Sequence, residues 1–112
     1  MKYMLLVYDN PANWANVTEE QMQGLYKEYG AVGQNPATVD SAQLKPVETA
    51  KTVRIKSGET LVTDGPFAET KEQLGGYYVV ETDSIDEAAK IGAQIPSARM
   101  GGSVEVRELV VM

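Results

Sequence analysis

Residues 3–8, YMLLVY, are apolar at every position. An unbroken apolar run of this length predicts a strand covered on both faces, closed by Asp9, Asn10 and Pro11. A helical spacing follows. Met22, Leu25, Tyr26, Tyr29 and Val32 recur every three or four residues, which puts them on one buried face. Thr18 with Gln21 matches a capping box and Val17 with Met22 a hydrophobic staple, so the helix starts there. Gly30 and Gly33 weaken its last turn, and its end is expected between Gly30 and Gln34.

Residues 37–45, ATVDSAQLK, lie between Pro36 and Pro46 and read as a modest strand. Residues 51–56, KTVRIK, alternate apolar and polar, Ser57-Gly58 supplies a two-residue turn, and ETLVT returns. That register sets Lys56 opposite Glu59 and Val53 opposite Val62, an opposite-charge pair on one face and an apolar pair on the other. Residues 76–81, GYYVVE, predict a second strongly apolar strand. Ser84 with Glu87 opens a second helix, with Ile85, Ala88, Ala89, Gly92 and Ile95 on one face and Pro96 as its stop. After a loop at Arg99-Met100-Gly101-Gly102, residues 103–111 read as the last strand.

The order is strand, helix, strand, inserted hairpin, strand, helix, strand. It predicts an α+β chain of the ferredoxin-like, split βαβ type, βαββαβ with a β-hairpin inserted. Its central strands should be its most apolar ones, and YMLLVY and GYYVVE fill those places. The 112 residues fit one domain spanning the whole chain, 1–112, with no repeat, linker or low-complexity tract.

Composition narrows the chemistry. The chain has no cysteine and no histidine. Disulfides, a thiolate nucleophile, the usual neutral-pH base and the commonest transition-metal ligand are therefore excluded. Acid–base work falls to Asp, Glu, Lys or Tyr. No carboxylate spacing points to a metal, and no cofactor is expected. A net charge of −6 with scattered basic residues argues against nucleic acid. The first ten residues lack the features of a signal peptide, and no run nears the roughly 20 residues of a membrane span. A cytoplasmic protein with no membrane partner is expected.

One stretch has an order that a plain loop does not need. Residues 63–81, TDGPFAETKEQLGGYYVVE, resemble the defining motif of the DGPF proteins, a branch of the YCII-related family. IPSAR at 95–99, GSVEVR at 102–107 and LLVY near the start resemble segments of the same family. The resemblance implies a ferredoxin-like domain that pairs its sheet with a second copy into a dimeric α+β barrel. It also implies a cavity between sheet and helices, where enzymes of the wider superfamily act, and a link to extracytoplasmic-function sigma factors. YCII relatives outside the DGPF branch are proposed to use a His–Asp pair in a cleft. That pair cannot be carried over to a chain without histidine.

Within the motif, Asp64 is the candidate acid or base. A carboxylate fixed by Gly65-Pro66 against an apolar cavity would have a raised pKa suited to proton transfer. The competing reading is that Asp64 caps its own turn. Tyr8, Trp14, Phe67, Lys71, Tyr78 and Arg99 are the candidate substrate-binding residues. Tyr8, Lys71 and Arg99 would orient a polar substrate, as would the Tyr78 hydroxyl, Phe67 would wall a pocket, and Trp14 would form its rim. Each also has a structural reading, in the core, at an interface or in an ion pair. Two functions follow. One is a protein that binds or transforms a small metabolite with Asp64 as its acid–base group. The other is a non-catalytic ligand-binding or regulatory module linked to sigma-factor signalling. A homodimer is expected in either case, because an open sheet leaves an apolar face uncovered.

Overall fold

The computed structural model describes residues 1–112. Its strands are β1 (Lys2–Asp9), β2 (Thr38–Gln43), β3 (Lys51–Lys56), β4 (Glu59–Asp64), β5 (Gln73–Glu81) and β6 (Ser103–Glu108). Its helices are α1 (Glu19–Gly33) and α2 (Ile85–Gly92). One antiparallel sheet has the order β2-β5-β1-β6, and β3-β4 forms a separate two-stranded ribbon. The two runs expected at the centre, in β1 and β5, lie there. This is the ferredoxin-like α+β arrangement, with the sheet left open rather than closed into a barrel.

Alternation along β1 divides the sheet. Tyr3, Leu5 and Val7 point at the helices and form the core with Val32, Tyr78, Val80, Ala88 and Ile95. Cross-strand pairing places Met4 with Val79 and Leu6 with Tyr77 on the opposite face. A bulge interrupts the β1–β5 ladder between Val7 and Tyr8, opposite the glycine pair. Gly76 sits where a Cβ would come 2.8 Å from the Ala42 carbonyl oxygen. Only glycine lets β2 and β5 approach so closely there.

The helix starts follow the sequence. Thr18 and Gln21 exchange both capping bonds, Gln21 N–H to Thr18 Oγ1 at 3.1 Å and Thr18 N–H to Gln21 Oε1 at 3.0 Å. At α2, Ser84 Oγ accepts from Glu87 N–H, but the Glu87 carboxylate accepts from Asp83 rather than from Ser84. The ribbon has the expected register, Lys56 with Glu59 and Val53 with Val62. Ser57 and Gly58 both take positive φ, 52° and 79°, as a tight hairpin turn of this hand requires.

Three boundaries differ from the sequence reading. The second helix ends at Gly92, and Pro96 opens a single 3-10 turn, Pro96–Ala98. Ile95 is extended (ψ 125°), as a residue before proline prefers, and it is wholly buried while Ile85 is 49% exposed. The β5 strand begins at Gln73, three residues earlier than expected. The last strand stops at Glu108, because Leu109 N–H donates to Lys2 O and β1 offers nothing beyond to pair with.

The molecule is thin, with extents of 46 × 42 × 18 Å. Eighteen ångströms is one sheet plus one layer of helices. No helix is long and apolar enough to cross a membrane.

Candidate functional site

Asp9 is the last residue of β1 and continues the helix-facing row of Tyr3, Leu5 and Val7. Alternation therefore carries a carboxylate to the mouth of the layer between sheet and helices. Glycines leave it room: a Cβ on Gly75 would lie 3.7 Å from Asp9 Oδ2, and one on Gly102 3.1 Å from Asp9 Oδ1.

A cavity of about 440 Å³ opens beside it, within the usual range for small-molecule sites. Along α1, Met22, Tyr26, Gly30 and Gly33 form its wall, a stripe at helical spacing one step round from the core residues Leu25 and Val32. A Cβ on Gly30 would meet nothing within 4 Å, so the missing side chain is itself part of the space. Trp14, Tyr29, Tyr77 and Tyr78 complete the aromatic lining. The Trp14 and Tyr29 rings lie 6.4 Å apart at 30°.

A chain of hydrogen bonds runs behind this wall. Trp14 Nε1–H donates to Asp9 Oδ1 at 3.3 Å, and Ser97 Oγ–H donates to Asp9 Oδ2 at 3.0 Å. Tyr29 Oη and Ser97 Oγ are 2.7 Å apart. The serine proton is committed to the carboxylate, so Tyr29 is the donor to Ser97. Tyr78 donates to the Tyr29 carbonyl at 2.9 Å. Ser97 is fully buried, and it joins three elements: β1, α1 and the turn after α2. Burial raises the Tyr29 pKa above the ordinary tyrosine value. The Asp9 charge adds to that shift. Burial likewise raises Tyr78. No three metal-ligating side chains converge in the structure, and Asp9 is the cavity's only carboxylate.

The YCII-related domain model matches residues 1–112. The chain belongs to the YCII-related family. An uncharacterised protein of Rhizobium meliloti (strain 1021) is 35% identical over 116 residues, covering 99% of this chain and 94% of that one. The uncharacterised protein YjpA of Bacillus subtilis (strain 168) is 40% identical over 50 residues, 45% of this chain and 55% of that protein.

In this YCII-related chain the residues singled out by sequence do not converge. Trp14 and Tyr78 line the cavity. Tyr8, Phe67 and Lys71 line a separate open groove beneath the loop that follows β4, and Phe67 is 79% exposed. Arg99 pairs with Glu28 at 2.6 Å on the surface, which lowers the Glu28 pKa. Asp64 does not face an apolar cavity. Its side chain is 86% exposed and pairs with Lys51 at 2.6 Å across the open end of the ribbon.

The rest of the motif fastens that end. Gly65 takes φ +90°, its N–H donates to Ala50 O at 2.7 Å, and its carbonyl accepts from Thr52 Oγ1 at 2.7 Å. In the sequence Asp9 marks only a strand end, Tyr29 a buried helix face, and Ser97 carries no local signal within IPSAR. The structure alone supplies the facing of Asp9, which sits two residues beyond Val7 on the parity of the core row.

Proposed function

We propose that the protein binds a small metabolite in the cavity between α1 and the sheet, with Asp9 as the group that anchors it and exchanges a proton with it. The observation that carries this reading is a carboxylate at the edge of an aromatic-lined cavity, held by neutral donors alone. A carboxylate has about four acceptor positions, and Trp14 and Ser97 occupy two of them. The remainder are available to a ligand. Asp9 thus takes the acid–base role for which sequence offered Asp64, whose carboxylate stands in water. The test is a fragment screen followed by amide chemical shifts. Ligands of this site shift Tyr29, Gly30 and Gly75 and change the emission of Trp14. A broad library that leaves all of these unmoved sinks the reading. Turnover that disappears in Asp9→Asn, with the fold retained, marks an enzyme rather than a binding module.

The thinness of the molecule supports a homodimer. Its accessible surface is 7972 Å², against roughly 6,100 Å² for a folded monomer of this mass. Its radius of gyration is 15.9 Å, against about 13 Å for a compact chain of this length. The excess area, about 1,900 Å², exceeds the share of one partner in a standard interface. The sheet face carrying Met4, Leu6 and Tyr77 is the surface we assign to the second copy.

A second reading, the sigma-factor-linked module, draws on the ribbon. Val53, Ile55 and Val62 share one of its faces and are 61%, 74% and 55% exposed, and a lone two-stranded ribbon is marginal in water. Its test is whether Ile55→Asp removes association with such a factor while the cavity still binds its ligand.

A further inference from the structure

We infer that the cavity selects a small cationic amine with an apolar body. This rests on the cavity being the ligand site, and it concerns which chemistry that site accepts.

The inner wall has spent its hydrogen-bond donors. Trp14 Nε1–H and Ser97 Oγ–H both go to Asp9. Tyr29 Oη–H goes to Ser97, and Tyr78 Oη–H goes to the Tyr29 carbonyl. What remains facing a ligand is lone pairs, on the Asp9 carboxylate and on the phenolic oxygens of Tyr29 and Tyr78. Side chains still able to donate are Ser41, Gln43 and Tyr26, which are exposed at the mouth, and the half-buried Tyr77, which shares the other sheet face with Leu6. A ligand seated deep in this cavity must bring donors of its own. An ammonium has three donors and no acceptor.

Charge points the same way. No lysine or arginine lines the cavity. Arg99, whose field reaches Tyr29, is already met by Glu28 at 2.6 Å. Asp9 is therefore a carboxylate among neutral partners, in a chain of net charge −6. An anionic ligand would meet repulsion with nothing to offset it, whereas a cation supplies the missing countercharge through a charge-assisted hydrogen bond. The walls suit the same guest. The faces of Trp14, Tyr26 and Tyr29 attract a cation by their ring quadrupoles and cover an apolar body at the same time.

The test uses three probes of similar size and shape: 2-phenylethylamine, 2-phenylethanol and 3-phenylpropionate. Their polar ends are a cation, a neutral hydroxyl and an anion. Each is titrated into the full chain, read by Trp14 emission and by the amides of Tyr29 and Gly75. The amine is expected to bind roughly tenfold or more tighter than the alcohol, and the carboxylate more weakly than both. High salt should shrink the amine's advantage, and Asp9→Asn should abolish it, leaving amine and alcohol to bind that variant with similar affinity. An alcohol that binds at Trp14 as tightly as the amine overturns the amine assignment and leaves a site for neutral ligands. Probes that move neither Trp14 nor the cavity amides overturn the site and the assignment together. Should Asp9→Asn fail to fold, the salt dependence of the unsubstituted protein decides the question. Tyr26→Leu, at a position 59% exposed, decides it too: selective weakening of the amine supports the assignment, and equal weakening of amine and alcohol overturns it.

Discussion

Ser97 and Asp9 stand 88 positions apart in the chain, and the serine hydroxyl donates to the carboxylate at 3.0 Å. The same oxygen accepts from Tyr29, so one buried hydroxyl sets the direction of a three-residue chain of protons. Ser97→Ala leaves the Tyr29 hydroxyl without its acceptor and Asp9 with one donor fewer. The expected cost is about 1–3 kcal/mol. Adding Tyr29→Phe removes the orphaned donor, so the double variant should be more stable than the two single losses predict by about 0.5 kcal/mol or more. Urea unfolding of the four proteins gives the coupling, and strict additivity would mean that the chain is not a unit.

Asp64 offers the contrast. Its partner Lys51 is 65% exposed and Asp64 itself 86%, and exposed pairs contribute little. Asp64→Asn should leave the thermal midpoint and the response of Trp14 to cavity ligands unchanged. A lost ligand response in this variant would return the site to the DGPF loop.

Gly65 matters more than the aspartate before it. At φ +90° a side chain is strained, and Gly65→Ala should cost about 1–2 kcal/mol. The loss is local. Hydrogen exchange should quicken at the amides of β3 and β4 and stay slow in β1 and β5. Uniform quickening across the molecule would contradict a fastening role.

Burial pushes the phenols of Tyr3, Tyr29 and Tyr78 above the ordinary value of about 10. The folded chain therefore keeps protons that the unfolded chain releases. This contribution is complete below about pH 10 and is lost as pH climbs through the raised folded values. The melting midpoint should fall in alkali. Tyrosinate absorbance should show a late-titrating component from these three phenols that urea unfolding removes. A titration curve unchanged by unfolding would refute the buried setting.

The dimer is checked by light scattering at micromolar concentration, which should return twice the mass of the chain. Leu6→Glu, on the face given to the second copy, should halve it while the circular dichroism spectrum is retained. A monomeric mass for the unsubstituted protein removes the proposal.

Local information was legible in the sequence, and long-range information was not. The ribbon register follows from Ser57-Gly58 and the flanking alternation, and both helix starts follow from Thr18 and Ser84, because each signal lies within a few residues of its effect. The facing of Asp9 was hidden because YMLLVY is apolar throughout and shows no parity. Ser97 has no local mark, since its role depends on partners from β1 and α1. The end of β6 was equally unreadable, as it is set by where β1 begins. The DGPF loop drew attention by its unusual order, and that order serves the closure of a ribbon: a glycine at positive φ, tied to Ala50 and Thr52.

The distance in sequence between Asp9 and Ser97 also fixes when the cavity comes into being. Asp9 and Trp14 leave the ribosome early, and Ser97 follows only after both helices and five of the six strands have been made. Until then Tyr29 lacks its acceptor, and the carboxylate has only the indole beside it. Contacts that close so long a loop form late. A partly synthesised chain thus lacks the closed inner wall of the cavity, and the emission of the sole tryptophan, seated against Asp9, should report when that wall closes.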